Sequence, residues 1–200
     1  MNSIKSWKDT ENTSIHIHPS GDSERNYFIT GLESAYYISK ILDYPYNKKV
    51  LEYGCGNGRI MKHLQALDIH GCDINPKYIT EAKKQNLKCD LLEDFIEDNF
   101  DICYSLTVFI HLNLEDSKTA LKYIHKKLKK GGMAYLQIPI YDTNRKGNSY
   151  IDINTMTYDT FKTTVEEIGF KIIEYHTSPG SFSFNNIGIN HNKYQILVSD

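Results

Sequence analysis

A loop with three glycines at alternate positions interrupts the stretch VLEYGCGNGRIMKHL, residues 50–64. Gly54, Gly56 and Gly58 allow positive φ and let a ligand approach the backbone closely. The helical pattern that follows presents unpaired N–H groups and a positive dipole end. Glu52 precedes the loop, where a carboxylate repels a pyrophosphate and attracts a cation. The dinucleotide pattern G-x-G-x-x-G places its third glycine one position later. The loop therefore predicts a cationic nucleoside ligand rather than a diphosphate.

Apolar periodicity predicts the elements that position this loop. Runs of apolar residues bounded by turns predict strands at 48–54, 68–74, 87–92, 100–110, 133–140, 170–177 and 193–199. Helical spacing predicts helices at 31–43, 60–67, 75–85, 115–132 and 158–168, and the first 30 residues read as irregular. The predicted order is one helix, five β-α units and two closing strands. This alternation indicates an α/β fold with a parallel sheet and helices on both faces, in which the last strand runs antiparallel.

Length, charge and cysteine usage exclude several classes of protein. The chain has 200 residues, enough for one core domain, and a formal net charge of −2, which gives no basic surface for nucleic acid. Its four cysteines show no metal spacing and read as reduced core thiols. No targeting segment or run of about 18 apolar residues is present. We therefore expect a cytoplasmic protein with no metal, no nucleic acid and no membrane, as a monomer or homodimer.

Several motifs in order resemble the class I S-adenosylmethionine-dependent methyltransferases. The matching stretches are LEYGCGNG, HGCDINP, KCDLL, FDICYSLTVFIHL and LKKGGMAYLQIP, within about residues 30–200. The resemblance implies a Rossmann-like, seven-stranded, mostly parallel sheet of order 3-2-1-4-5-7-6. It also implies a methyltransferase domain at 48–200, with residues 1–47 forming a helical arm or cap over the active site.

The resemblance also implies the cofactor-binding residues. Glu52 matches the family's acid near the methionine part of the cofactor, and Asp73, 21 residues later, matches the acid that accepts from both ribose hydroxyls. Asp90 and the Leu91 amide match the adenine contacts, and Ser105 and Leu106 leave a strand beneath the cofactor. The full predicted set is Glu52, Gly54, Gly56, Gly58, Asp73, Ile74, Asp90, Leu91, Ser105 and Leu106.

The implied reaction is an in-line attack by an acceptor atom on the methyl group of S-adenosylmethionine, which leaves S-adenosylhomocysteine. Alignment of the two reactants supplies much of the rate, and a hydroxyl acceptor also needs a base. His111 follows the fourth strand near the expected methyl position and is the candidate base; the alternative is a histidine that caps the next helix or fills a gap. Tyr141 and Asp142 also border the expected acceptor space, or form an ordinary loop.

The segments expected to cover the strand ends narrow the range of possible methyl acceptors. The arm 1–47 and the segment SPGSFSFNNIGINHN, residues 178–192, both mix aromatic and polar groups, as a small-molecule pocket does. No Asn/Asp-Pro-Pro-Tyr/Phe motif follows the fourth strand. We predict transfer to an O or N atom of a small polar molecule, such as a sugar or metabolite. The alternatives are an RNA or protein methyltransferase, or an inactive cofactor-binding module.

Overall fold

The computed structural model describes residues 3–10, 23–42, 47–64, 68–144, 146, 154–177 and 193–199. Its strands form one seven-stranded sheet of order β3-β2-β1-β4-β5-β7-β6. The strands are β1 (Lys49–Tyr53), β2 (Asp68–Asp73), β3 (Cys89–Leu91), β4 (Phe100–Ser105), β5 (Leu128–Ile138), β6 (Phe170–Thr177) and β7 (Lys193–Ser199). β7 pairs antiparallel with both β5 and β6, while β1 to β5 pair in parallel. The predicted fold class, strand order and antiparallel last strand are confirmed.

Five α-helices accompany the sheet in the described ranges. They are α1 (Ser3–Lys8), α2 (Glu24–Ile41), α3 (Pro76–Lys84), α4 (Leu114–Lys127) and α5 (Tyr158–Ile168). Short 3₁₀ segments follow β1 at Met61–His63 and β4 at Phe109–His111. None of these helices is both long and apolar enough to cross a bilayer.

The sheet separates two apolar cores because successive side chains of a strand point to opposite faces. In β4, Ile102 and Tyr104 join the core that contains α2 and α3 residues, while Cys103 joins the core of α4 and α5. The strands between the two cores are buried on both faces, as is typical of a parallel sheet. The carboxyl ends of β1, β2, β3 and β4 therefore form one rigid edge.

The N-terminal region is more helical than its sequence predicts. α1 lies in a stretch expected to be irregular, and α2 begins at Glu24 rather than at residue 31. Ser23 is the N-cap of α2, and its hydroxyl accepts a hydrogen bond from the Asn26 amide. Exposed apolar residues in the first half of α2, such as Phe28 and Ile29, obscure the amphipathic pattern that would have marked it.

One predicted helix and one predicted β-α unit are wrong. The expected helix at 60–67 is a 3₁₀ turn over Met61–His63, in which the His63 and Leu64 amides donate to the carbonyls three residues back; residues 65–67 lie outside the described part. No helix separates β3 from β4, where residues 92–99 form turns and an open loop. The prediction of five β-α units is therefore wrong, because eight residues are too few for a helix and its two connections.

Two strand boundaries also differ from the prediction. β4 ends at Ser105 instead of residue 110, since Thr107 adopts a φ of +60° and turns the chain into a 3₁₀ segment. α4 ends at Lys127, and β5 begins at Leu128 rather than residue 133. Leu128 pairs with Phe100 across the sheet, so sheet pairing overrides the helical pattern of the lysine-rich stretch.

Candidate active site

The glycine loop is anchored to the neighbouring strand by its own backbone. The amides of Gly54 and Cys55 both donate to the Cys72 carbonyl, at 2.8 and 3.0 Å. Gly54 has a φ of +77°, and a Cβ there would overlap Cγ2 of Val108. Only glycine therefore allows this turn to lie so close to the segment that follows β4.

The third glycine of the loop serves packing in this structure. A Cβ at Gly58 would overlap Cδ1 of Leu87, a buried residue on the connection between α3 and β3. Gly56 also has a positive φ, of +55°, and its amide points at a carboxylate described next. Contact of the three glycines with a cofactor stays a prediction.

The carboxylate of Asp73 connects the loop to the next helix. Its Oδ2 accepts from the Gly56 amide at 2.8 Å, and its Oδ1 accepts from the Asn75 amide at 2.9 Å. Burial raises the pKa of Asp73, and the amides of Asn75, Gly56 and Ile74 oppose that rise. The carboxylate has about four acceptor positions, which the three amides do not fill. It can therefore hold the loop and still accept from a hydroxyl donor.

Glu52 lies beneath the loop and is 3% exposed. Its Oε2 accepts from the Tyr104 hydroxyl at 2.8 Å. Burial raises the pKa of Glu52 to about 8, against the opposing effects of the Tyr104 hydrogen bond and the Arg59 charge. The site therefore holds a buried acid that a neighbouring cation would ionise.

Arg59, which directly follows the loop, is a buried cation with unused donors. It is 3% exposed, and its Nε and Nη1 have no hydrogen-bond partner within the described ranges. Burial lowers the pKa of Arg59, while the nearby Glu52 and Tyr27 raise it. The hydroxyl of Tyr27, on α2, donates to Asn57 in the loop. Two buried donors without partners indicate a place for an anionic acceptor.

The predicted adenine contacts lie at the end of β3. Asp90 is exposed, and its Oδ1 accepts from Lys83 Nζ at 2.6 Å. Leu91 pairs in register with Asp73, and the Leu92 amide donates to the Asp73 carbonyl at 2.8 Å. Asp90 itself pairs in register with Cys72, the residue before Asp73, and its exposed ion pair with Lys83 is weak enough to rearrange.

The end of β4 is built as a rigid support. Ser105 is fully buried, and its hydroxyl donates to the Tyr53 carbonyl at 2.8 Å. Leu106 is buried beside it, and the next amide, of Thr107, donates to Oε1 of the buried Gln137 at 2.7 Å. These bonds hold the strand end, and the Ser105 hydroxyl is used internally rather than offered to a ligand.

His111 lies at the end of the 3₁₀ segment after β4, facing the N-terminal helix. Its ring and that of Trp7 on α1 have centroids 4.9 Å apart at 46°. Tyr141 is partly buried, burial raises its pKa, and its amide donates to the Met156 carbonyl at 2.9 Å. Asp142 is exposed. His16, His18 and residues 178–192 lie outside the described part of the chain.

A match to a sequence family covers the glycine loop and most of the strands that form this edge of the sheet. Residues 51–136 match a family model described as a methyltransferase domain. Residues 51–136 form a methyltransferase domain, and the sheet has the class I methyltransferase fold. The fold of the magnesium protoporphyrin IX methyltransferase of Synechocystis PCC 6803, solved with bound S-adenosylhomocysteine, is similar, with a TM-score of 0.70, 14% identity and 100% of both chains covered. The predicted recognition is confirmed, and S-adenosylmethionine is the cofactor of this class.

Two methyltransferases of known activity are similar to the chain in sequence. A phosphoethanolamine N-methyltransferase of Plasmodium falciparum is 31% identical over 130 residues, which cover 59% of this chain and 48% of that protein. A tRNA (carboxymethyluridine(34)-5-O)-methyltransferase, alkbh8, of Xenopus tropicalis is 28% identical over 109 residues, 52% of this chain and 17% of that protein. The chain thus spans about half or less of the length of these relatives.

Some residues around the candidate site were missed by sequence reasoning. Arg59, Tyr104 and Asn75 lie around the predicted residues but were not among them, whereas Trp7 was expected only as part of the arm over the strand ends. The sequence did contain an indication for Arg59, because a charged side chain between Gly58 and an apolar run has to be either exposed or paired. Asn75 was recognised only as a helix cap, and nothing in the sequence places Trp7 at His111.

The buried Glu52 predicts an unusual pH dependence of the methyltransferase domain. Its folded pKa of about 8 lies above the ordinary 4.5, so between these values the folded state keeps a proton that the unfolded chain releases. Raising the pH therefore favours unfolding, by up to about 1.4 kcal/mol per pH unit. Glu52→Gln should weaken this fall. Urea unfolding of both proteins at pH 5.5, 6.5 and 7.5 checks it, and parallel pH profiles would contradict it.

The close packing of α2 against Arg59 predicts that replacing a helical glycine by alanine destabilises the protein, which is the reverse of the usual effect. Alanine normally stabilises a helix interior by about 1 kcal/mol relative to glycine. A Cβ at Gly31 would overlap the Arg59 backbone oxygen, so we expect Gly31→Ala to lower the free energy of unfolding by about 1–3 kcal/mol, as overpacking does. Chemical denaturation measures this. Stabilisation by the alanine would show that α2 does not pack on Arg59.

Proposed function

We propose that the protein transfers the methyl group of S-adenosylmethionine to an oxygen or nitrogen atom of a small polar molecule and releases S-adenosylhomocysteine. The observation that carries the proposal is the charge around the glycine loop. The carboxyl group of Glu52 lies near the Arg59 guanidinium, whose Nε and Nη1 are unused, and the Asp73 carboxylate accepts from the Gly56 amide of the loop. A sulfonium nucleoside with an ammonium and a carboxylate complements this arrangement, whereas a dinucleotide has no ammonium to offer.

Each cofactor residue then has a task that suits its chemistry. Asp73 accepts the ribose hydroxyls, Glu52 attracts the ammonium group, and Arg59 donates to the carboxylate. Asp90 and the Leu91 amide receive the adenine, and Ile74, Ser105 and Leu106 border it. When bound, the cofactor supplies an electrophilic methyl group on a sulfonium centre, and the protein aligns the acceptor with it.

The acceptor site lies between His111 and the segments that cover the strand ends. His111 removes a proton from a hydroxyl or ammonium acceptor. The arm 1–47 forms the cap, consistent with the contact between Trp7 and His111. The small-amine methyltransferase of Plasmodium falciparum supports a small acceptor. A cytoplasmic location stays a prediction.

Ligand binding tests the class. Calorimetric titration with S-adenosylmethionine, S-adenosylhomocysteine and NAD should give binding of the first two alone. Binding of NAD in their place would overturn the proposal. The acceptor is then sought by release of S-adenosylhomocysteine from pooled metabolites, with bulk tRNA as the parallel substrate. Methyl incorporation into tRNA and not into metabolites would favour the activity class of the Xenopus tropicalis relative.

Arg59 gives a test that separates the two ends of the cofactor. Arg59→Met should weaken S-adenosylhomocysteine binding about tenfold or more, as loss of a charged hydrogen-bonding partner does. Binding of 5′-methylthioadenosine, which lacks the amino-acid end, should change by less than about twofold. Arg59→Lys keeps the charge and should recover part of the affinity. Equal weakening of both ligands would show that Arg59 only supports the loop.

A further inference from the structure

Asn75 makes more hydrogen bonds than a helix cap needs. It is fully buried, with 0% exposure, and its Oδ1 accepts from the Lys77 and Tyr78 amides at the start of α3. Its Nδ2 donates to the carbonyls of Trp7, at 2.9 Å, and Thr10, at 2.8 Å. Reversing the amide would set its NH2 against the two amide donors of α3 and its oxygen against the two carbonyl acceptors of α1, so the orientation follows from the network.

These bonds hold the C-terminal end of α1 at the edge of the sheet. The Thr10 hydroxyl donates to the Ser6 carbonyl at 2.9 Å, which closes the end of the helix on itself. Lys8 Nζ lies 3.2 Å from Glu93, beyond β3, and this exposed ion pair adds little. The ring of Trp7 rests against His111, beyond β4. Thus α1 bridges the segments beyond β3 and β4, with Asn75 as its buried attachment.

The same residue connects α1 to the cofactor edge. The Asn75 amide donates to Asp73 Oδ1, whose other oxygen holds the glycine loop through Gly56. A continuous chain of hydrogen bonds therefore runs from the loop through Asp73 and Asn75 to the Trp7 carbonyl. A ligand bound to Asp73 would therefore lie two positions along the chain from Asn75, whose side chain holds α1.

We propose that Asn75 is a positioning residue that holds α1 closed over the bound cofactor and fixes Trp7 against His111. The amide bonds to α1 must break before the cofactor leaves, so they set its residence time. Trp7 then forms one wall of the space beside His111. The inference rests on the proposed function, because it takes Asp73 as the ribose contact.

Two substitutions separate this role from helix capping. Asp and Ser are both good N-caps, so Asn75→Asp and Asn75→Ser keep the cap of α3 and lose the two donors to α1. The first keeps the shape and adds a charge, while the second adds none. Asn113→Ser is the matched control, because Asn113 caps α4 in the same way, through its Oδ1 and the Asp116 amide.

Trp7 is the only tryptophan of the chain, so its fluorescence reports α1 directly. We expect both Asn75 variants to shift the emission to longer wavelength and to release tritiated S-adenosylhomocysteine at least about tenfold faster, since two hydrogen bonds are lost. Asn113→Ser should change neither. Trp7→Leu, which leaves Asn75 and Asp73 intact, should also speed release, and it tests the inference if the Asn75 variants fold poorly.

The experiments distinguish a failure of the proposed function from a failure of this inference alone. A wild-type protein that binds no S-adenosylhomocysteine would overturn the proposed function and this inference together. Normal binding with an unchanged emission in the Asn75 variants would overturn the inference alone. So would a shifted emission with an unchanged release rate, because α1 would then be attached by Asn75 without closing on the cofactor.

Discussion

Asp73→Asn should weaken S-adenosylhomocysteine binding about 100-fold, which corresponds to about 2.7 kcal/mol. The carboxylate does two jobs that an amide cannot do together. It accepts from the Gly56 and Asn75 amides with separate oxygens, and an Asn side chain would turn its NH2 toward one of these donors. The same substitution removes one of the two acceptors for the ribose hydroxyls. Isothermal calorimetry measures the effect.

The choice of ligand makes the Asp73 result specific. S-adenosylhomocysteine and 5′-methylthioadenosine share the ribose, so both should lose affinity to the same extent, in contrast to the result expected for Arg59→Met. The matched control is Asp68→Asn, at the opposite end of β2, where the carboxylate pairs with Lys88 and His70 at the surface. Its effect should stay within about twofold. An Asp73→Asn protein that binds like wild type would exclude Asp73 as a ribose contact.

His111→Gln should lower the turnover rate about 100-fold with the acceptor found in the metabolite screen, since a general base contributes at least that much. Glutamine keeps a polar side chain but cannot take a proton. S-adenosylhomocysteine affinity should fall far less than the turnover rate, which separates chemistry from cofactor binding.

The control for His111 is another partly buried histidine. His70→Gln changes a residue of β2 that contacts Asp68 and the Phe100 ring, and it should leave turnover within about twofold. A His111→Gln enzyme that keeps its rate within about threefold of wild type would exclude a general base at this position. The remaining interpretation would be a histidine that packs against Trp7.

The predicted elements that proved right share a strong local signal. The glycine loop, the Asn75-Pro76 start of α3 and the Gly169 end of α5 each depend on backbone preferences of a few adjacent residues. The failures lie where neighbours in space overrule those preferences. Leu128 leaves a helical pattern to pair with Phe100, and Met61, which is fully buried in the core, lies in one 3₁₀ turn instead of the expected helix.

The sequence by itself determined the α/β order, the strand arrangement through the family resemblance, and the positions of Glu52, Asp73 and Asp90 at strand ends. These features could be predicted because hydrophobic periodicity, turn chemistry and loop spacing are local properties of the sequence. Only the tertiary structure decided that Arg59 is buried with unused donors, that Tyr104 bonds to Glu52, and that Trp7 lies at His111. These depend on contacts between residues as much as 104 positions apart, and no local pattern encodes a partner at that distance.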